Sequence, residues 1–287
     1  MIKIENLKKY YGTFKGIEDV SLSVKEGDIF GFVGPNGSGK STTIRVIMGL
    51  IFATSGYVEV MGESTVDGLT HARYDIGYLA GEANFYKNLK VLEFLQYCAK
   101  LKGRGQENIV PLASRLSLDL NKKISALSLG NKKKVGIINA VMHKPKLIIL
   151  DEPTSGLDPV ISYNFFELLR ELNKNGSTIL FSSHILSDVQ NLCSKVAVIK
   201  DGIIVANGTV REICGNNLKE VKLSFDGALP NLVENKSIKN INISNQTVAF
   251  DYSGRADELL ALITKLKPID VNINNAELER VIMHHYL

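Results

Sequence analysis

Two short segments of the chain carry residue types that handle phosphate. The first, Gly34 to Ser41, reads GPNGSGKS and fits the pattern G-x-x-x-x-G-K-S/T between a predicted strand and a predicted helix. Glycines let backbone N–H groups close around phosphate oxygens, and the start of the following helix adds its positive dipole end. In this pattern Lys40 is expected to reach the β- and γ-phosphates of a nucleotide, and Ser41 to coordinate Mg²⁺. The segment predicts a nucleoside triphosphate site; a glycine-rich turn without a ligand is the alternative.

The second segment, LIILDEP at Leu147 to Pro153, is an apolar strand that ends in two carboxylates. Phosphoryl transfer needs a second metal contact and a group that orients the attacking water. Asp151 is the candidate for the Mg²⁺ shell and Glu152 for the water. An acidic turn after a strand is common by itself, but together with the phosphate loop it predicts nucleotide hydrolysis.

The elements that must position these residues alternate between strands and helices. Short apolar runs such as DIFGFVG and STILFSSH are typical of buried parallel strands, and VISYNFFELLRELNKNG has a helical pattern that stops at Gly176. From residue 84 to about 141 the pattern is mostly helical, which predicts a helical insertion. The fold class is α/β, a P-loop NTPase with a mixed sheet.

The texture of the sequence changes after a predicted hairpin at Asp201-Gly202. The segments that follow read as strand, short helix ALPNLVE, two strands, helix ADELLALITKL and strand, before a last helix AELERVIMHHY. Up to that last helix the order is β-α-β-β-α-β, the order of ferredoxin-like domains. We therefore expect a large nucleotide-binding domain at 1–212 and a small α+β domain at 213–287.

The composition is that of a globular protein, with 45% hydrophobic and 22% charged residues in 287 and a net charge of +4. A solvated helix face explains the densest basic run, Lys132 to Lys134, at least as well as a nucleic-acid patch does, and no nucleic-acid partner is expected. No apolar run reaches the length of about 20 residues that spans a bilayer. Any action at a membrane then requires a separate membrane subunit.

The combined motifs resemble the nucleotide-binding subunit of ATP-binding-cassette (ABC) transporters. Besides the phosphate loop and the acidic strand, the resemblance rests on SGLDP at Ser155 to Pro159, on SSH ending at His184, and on Tyr11. It implies catalysis by Lys40, Glu152 and His184, with ATP and Mg²⁺ as ligands. It also implies nucleotide contacts from Tyr11, Gly34, Pro35, Asn36, Gly37, Ser38, Gly39, Lys40, Ser41, Thr42, Ser128, Gly130, Asn131 and Asp158.

The segment LSLGN at Leu127 to Asn131 departs from the family's usual LSGGQ signature at two positions. In the family two cassettes face each other head to tail, and each ATP lies between one phosphate loop and the partner's signature. The serine and second glycine that contact the γ-phosphate are retained as Ser128 and Gly130. We interpret LSLGN as a working variant; a degenerate, regulatory site is the alternative.

A second departure follows IGYL at Ile76 to Leu79, where the family carries Pro and then Gln or Glu. The aligned pair here is Ala80-Gly81, followed by Glu82. Our hypothesis is that Glu82 joins Ser41 and Asp151 as a metal ligand after a one-residue shift of the loop. Without that shift, Gly81 provides no side-chain ligand, and water occupies this position in the metal's coordination shell.

The resemblance implies an ATPase at the cytoplasmic face of the cell membrane that dimerises on ATP to power a separate permease. The C-terminal segment resembles tails of bacterial cassettes from drug, antibiotic and bacteriocin-immunity exporters. Phe85 and Tyr86 are candidates for contacting the permease, with packing inside the insertion as the alternative. An importer cassette, a non-transport switch and a regulatory cassette with little hydrolysis stay open, as does the choice between homodimer and heterodimer.

Overall fold

The computed structural model describes residues 1–82, 85–214, 218–227, 229–230 and 232–275. The chain divides into two compact units, Met1–Gly208 and Thr209–Leu287. The sequence analysis placed the division after residue 212.

The first unit alternates strands and helices. Its strands are β1 Ile2–Tyr11, β2 Phe14–Val24, β3 Ile29–Val33, β4 Ser55–Val60, β5 Glu63–Ser64, β6 Ile76–Leu79, β7 Leu147–Asp151, β8 Thr178–Ser183, β9 Lys195–Lys200 and β10 Ile203–Thr209, which ends one residue past the division. Its α-helices are α1 Lys40–Ile47, α2 Val91–Lys102, α3 Ile109–Arg115, α4 Leu129–Val141, α5 Pro159–Lys174 and α6 Leu186–Leu192. Short 3-10 turns lie at Ala72–Asp75, Gln106–Asn108 and Ile124–Ala126.

These strands form one mixed sheet in the order β5-β4-β1-β2-β10-β9-β3-β8-β7-β6. The strands β9, β3, β8, β7 and β6 pair in parallel, whereas β1 pairs antiparallel with both β2 and β4. Every residue of β3, β7 and β8 is buried, as expected for parallel strands covered on both faces. The predicted mixed α/β sheet is confirmed.

The helical insertion between β6 and β7 contains α2, α3 and α4, and α4 lies against β6. A Cβ on Gly77 would lie 1.9 Å from the carbonyl oxygen of Ala140, and one on Gly136 would lie 2.5 Å from Leu79 Cδ1. Both distances are shorter than real Cβ contacts, so the close approach of helix and strand depends on these two glycines. This approach fixes where α4 begins relative to the end of β6.

In its described residues, the second unit contains a four-stranded antiparallel sheet and one longer helix. Its elements are α7 Val210–Cys214, β11 Leu218–Ser224, β12 Ile238–Ser244, β13 Thr247–Ser253, α8 Ala256–Leu266 and β14 Asp270–Asn275, with strand order β12-β13-β11-β14. Residues 229–230 and 232–235 are not helical, so the helix predicted over ALPNLVE is wrong there. Pro230, which lacks a backbone N–H and restricts the residue before it, explains the failure. The last predicted helix lies outside the described residues.

The first prediction concerns His143, in the turn after α4. Its ring is 2% exposed, Nε2 lies 3.3 Å from the Ile76 carbonyl oxygen, and burial lowers its pKa from 6.5 to about 4. Between these pH values the unfolded chain binds a proton that the folded chain excludes, so stability falls as the pH falls. We expect a loss of about 2 kcal/mol in the free energy of unfolding at pH 5 relative to pH 7.

Urea unfolding of His143→Gln at the two pH values checks this expectation. Glutamine offers Ile76 an amide donor but does not titrate, so the variant should lose less stability at pH 5 than the wild type. His71→Gln, at an exposed position, is the matched control and should retain the wild-type loss. An equal loss in His143→Gln and the wild type would contradict the assignment.

Candidate nucleotide-binding site

The parallel part of the sheet gathers the predicted site residues at one edge. Because β3, β8, β7 and β6 are parallel neighbours, their carboxyl ends point the same way. The phosphate loop follows β3, His184 follows β8, Asp151 ends β7, and Gly81 lies two residues after β6. Residues far apart in sequence are brought together by the strand order.

The phosphate loop runs from the end of β3 into α1, whose N-cap is Gly39 with φ of 109°. A Cβ on Gly39 would lie 2.7 Å from the carbonyl oxygen of Gly16, so both the angle and the space require glycine. The hydroxyl of Ser38 is buried and has no hydrogen-bond partner within the described chain. A buried donor of this kind at a helix start suits a phosphate oxygen.

Lys40 is 5% exposed, and its ammonium is held at the base of the loop. Its Nζ donates to the carbonyl oxygens of Gly34 at 2.7 Å and Pro35 at 3.1 Å, and it lies 3.3 Å from Glu152 Oε1. The cation therefore lies between the loop and the carboxylate predicted to orient water.

Asp151 and Glu152 are placed by contacts with β8. The hydroxyl of Ser182 donates to Asp151 Oδ1 at 2.7 Å, and the Glu152 N–H donates to the Ser182 carbonyl oxygen at 3.2 Å. Glu152 has φ of 49°, in the left-handed region that a side chain rarely adopts. Such backbone costs about 1–2 kcal/mol and concentrates at functional sites.

His184 reaches the same carboxylate from β8. Its Nδ1 lies 2.7 Å from Glu152 Oε2. A carboxylate only accepts hydrogen bonds, so Nδ1 carries the proton and Nε2 is left for another partner. Lys40, Glu152 and His184 thus form one connected cluster.

Tyr11 is the last residue of β1 and lies close to the phosphate loop. Its ring is 45% exposed, and a Cβ on Gly16 would lie 3.0 Å from the Tyr11 ring and 3.4 Å from the Thr42 methyl. Lys9 Nζ lies 5.0 Å from the ring centroid. The exposed ring of Tyr11 thus lies beside the phosphate loop.

The variant signature forms the beginning of α4. Ser128 is the N-cap, and its hydroxyl accepts the N–H of Asn131 at 3.3 Å. Leu129 is the first helical residue, so the backbone there has ordinary helical angles and needs no glycine. Its side chain is 75% exposed. The leucine that stands at position 129 in place of the family's glycine therefore does not strain the backbone of this helix.

Gly130 lies against the turn that precedes α5. A Cβ on Gly130 would lie 2.6 Å from the carbonyl oxygen of Gly156. Two residues further along, Asp158 caps α5 by accepting the N–H of Ile161 at 2.9 Å. The signature and the segment containing Asp158 are thus in direct contact within one chain.

The loop after β6 differs from the expectation for Glu82. A Cβ on Gly81 would lie 3.3 Å from Asp151 Oδ2, so position 81 faces the acidic strand. The side chain of Glu82 is exposed. Glu82 then needs the one-residue shift of the loop to approach Asp151.

The sequence analysis missed Lys133. This residue is 7% exposed, and its Nζ donates to the Gly81 carbonyl oxygen at 3.0 Å. Burial lowers the pKa of its ammonium, and the charges of Asp151 and Glu152 oppose that shift. Lys134 is also buried, so the solvated face predicted for the run is wrong at two of its positions.

The residues at the site fit Mg²⁺ by their chemistry. Asp151 is buried and supplies a carboxylate, and Ser41 supplies a hydroxyl at the start of α1. Such hard oxygen donors, completed by phosphate oxygens and water, are those that Mg²⁺ prefers. In the ranges that the structure describes, no group of three His, Cys, Asp or Glu side chains forms a metal cluster.

Comparison with known sequences places these features in a family. The family model described as ABC transporter matches residues 17–155. An uncharacterized ABC transporter ATP-binding protein of Methanocaldococcus jannaschii is 40% identical over 74% of this chain and 79% of its own. The bacitracin transport ATP-binding protein of Bacillus licheniformis is 39% identical over 70% and 67%, and the lantibiotic transport ATP-binding protein of Streptococcus pyogenes is 35% identical over 71% and 89%.

Solved structures agree with the sequences. A bacterial ABC transporter cassette solved as a dimer is 28% identical, with a TM-score of 0.68 over 74% of this chain and 99% of that one. The same values hold for its dimeric post-hydrolysis state bound to ADP and Pi. No helix in the described ranges is long and apolar enough to cross a membrane. From its motifs, its sheet and these relatives, the chain belongs to the ATP-binding subunits of ABC transporters.

Proposed function

We propose that this chain hydrolyses ATP as a dimer at the cytoplasmic face of the cell membrane and powers a separate permease. The observation that carries the proposal is the cluster of Lys40, Glu152 and His184 beside an intact phosphate loop. The capped start of α4 at Ser128 supports a signature that grips ATP. Export of drugs, antibiotics or peptides is the direction we propose, because relatives are named for bacitracin and lantibiotic transport.

The chemistry follows from the protein's own groups. Glu152 orients a water for attack on the γ-phosphate and accepts its proton, since its carboxylate is held at both oxygens. Lys40 and the free side of the His184 ring stabilise the charge that develops on the phosphate oxygens. Mg²⁺, when bound with ATP, neutralises charge on the β- and γ-phosphates.

Dimerisation tests the proposal most directly. We expect purified Glu152→Gln to shift from monomer to dimer mass in solution when ATP is added, and Ser128→Arg in the same background to abolish the shift. ATP binding without any shift would instead favour the alternative, a regulatory cassette with a degenerate signature. Mixing the chain with a second cassette of ordinary signature then distinguishes a heterodimer, in which activity appears only in the mixture.

The permease contact is proposed for the segment after β6. Tyr86 is 62% exposed, whereas Phe85 packs edge-on against Phe94 with ring centroids 5.3 Å apart. We therefore propose Tyr86 as the contacting residue and Phe85 as its support. Of the two interpretations given in the sequence analysis, permease contact is thus assigned to Tyr86 and packing inside the insertion to Phe85.

For the second unit we propose a ferredoxin-like domain that begins near residue 213. The strand order β12-β13-β11-β14 with antiparallel pairing supports it. The connection from β11 to β12 lacks the helix that such domains carry there in its described residues. The domain is then a reduced form of that arrangement.

We also propose that Glu82 serves as a metal ligand once ATP is bound, together with Ser41 and Asp151. Removal of a carboxylate ligand weakens the site, so Glu82→Ala should raise the Mg²⁺ concentration for half-maximal hydrolysis by about tenfold. A steady-state titration of ATPase rate with Mg²⁺ measures it, with exposed Glu107→Ala as control. An unchanged Mg²⁺ requirement in Glu82→Ala would contradict this proposal and indicate that water occupies the coordination position.

A further inference from the structure

Lys133 is a buried cation in a place where the family resemblance gave no reason to expect one. It lies one turn into α4, and the close contacts of Gly77 and Gly136 hold that helix against β6. The backbone that carries this side chain is therefore held close to β6, and the side chain itself is buried. Its only hydrogen bond within the described chain is the one to the Gly81 carbonyl oxygen, at 3.0 Å.

The neighbourhood of Lys133 is acidic. Asp151 and Glu152 act on its ammonium through their charge. Gly81, which Lys133 holds, is the position whose Cβ direction meets Asp151 Oδ2 at 3.3 Å. Glycine at 81 contributes no side chain toward Asp151, and α4 supplies a cation beside this position through Lys133.

We propose that Lys133 is a positioning residue of this site: it holds the Gly81 carbonyl and, as a fixed positive charge beside Asp151 and Glu152, lowers the affinity of the site for Mg²⁺. The inference rests on the proposed ATP function and adds to it a determinant of the metal requirement. A positive charge near two carboxylates repels a second cation that approaches them, and the burial of Lys133 leaves this repulsion weakly screened.

Three substitutions separate the charge from the hydrogen bond. Lys133→Met removes both, Lys133→Gln removes the charge but keeps a donor for Gly81, and Lys133→Arg keeps the charge. Lys134→Met is the matched control, because Lys134 is equally buried on the same helix. The readout is binding of a fluorescent, non-hydrolysable ATP analogue to the full chain as a function of Mg²⁺ concentration.

We expect Lys133→Met and Lys133→Gln to lower the half-saturating Mg²⁺ concentration by about tenfold, which corresponds to about 1.4 kcal/mol. Lys133→Arg and Lys134→Met should stay within about twofold of the wild type. Amide hydrogen exchange at residues 80–82 should rise in Lys133→Met and less in Lys133→Gln, since only methionine loses the donor.

An unchanged Mg²⁺ requirement in both neutral variants, with normal analogue binding by the wild type, would overturn this inference and leave the proposed function intact. The inference would also be overturned, with the proposed function intact, if Lys133→Arg behaved like the neutral variants. A wild type that binds no analogue at any Mg²⁺ concentration would overturn the proposed function itself. Glu82→Ala in the same titration has the opposite expected sign, so the two residues are distinguished.

Discussion

Glu152→Gln should bind ATP with near-normal affinity and hydrolyse it at less than about one-hundredth of the wild-type rate. The amide keeps the shape of the side chain, and its single oxygen can accept from one of the two groups, Lys40 or His184, that contact the carboxylate now. It cannot accept the proton of the attacking water at neutral pH. Loss of turnover without loss of binding is therefore the specific signature of a general base.

Phosphate release and equilibrium ATP binding, measured on the same preparation, check this prediction. Glu26→Gln, at an exposed turn, is the matched control and should hydrolyse ATP at the wild-type rate. If Glu152→Gln turned over ATP at a near-native rate, another group would have to activate the water. A combined loss of binding and turnover would instead indicate that the strained backbone at Glu152 had rearranged.

Lys40→Met should lower ATP affinity by about 100-fold, because a buried ammonium that reaches the phosphates makes charge-assisted hydrogen bonds. The substitution should also lower the free energy of unfolding by about 1–3 kcal/mol, since Glu152 Oε1 loses its cation. Calorimetric ATP titration measures the first effect and urea unfolding the second.

The double variant Lys40→Met/Glu152→Gln separates the two effects. Removing the carboxylate together with the lysine leaves no unpaired charge, so stability should recover in part. ATP affinity should stay low, because the missing phosphate contact is not restored. If both quantities recovered together, the affinity loss in Lys40→Met would be a consequence of local unfolding and not of a lost contact.

Sequence predicts the parts of this site that are formed by contiguous residues. The phosphate loop and the acidic end of β7 each depend on a few neighbouring residue types, and the structure places the loop between β3 and α1 and the carboxylates at the end of β7, as expected. Their assembly at one edge follows from parallel strand order, which the apolar runs already suggest.

Lys133 and the β11–β12 connection show why other features of the structure could not be predicted from the sequence. Burial of Lys133 depends on how closely α4 approaches β6, a distance set by glycines 77 and 136 in two separate elements. One signal was available: Lys133 shares a helix face with the apolar positions 137, 140 and 141. In the segment 228–234, the sequence prediction gave more weight to an apolar helical pattern than to the single proline, which disfavours a helix there.

The contact of Gly130 with Gly156 has a consequence for communication between two ATP molecules. If the cassettes pair head to tail, one chain's Gly130 faces the ATP held by its partner, while the adjoining turn leads to that same chain's Asp158. A carbonyl only 2.6 Å from where a Cβ would lie leaves no room for the two segments to move independently. We therefore expect positive cooperativity, with hydrolysis rate rising more steeply than linearly in ATP, and Gly130→Ala should flatten that response.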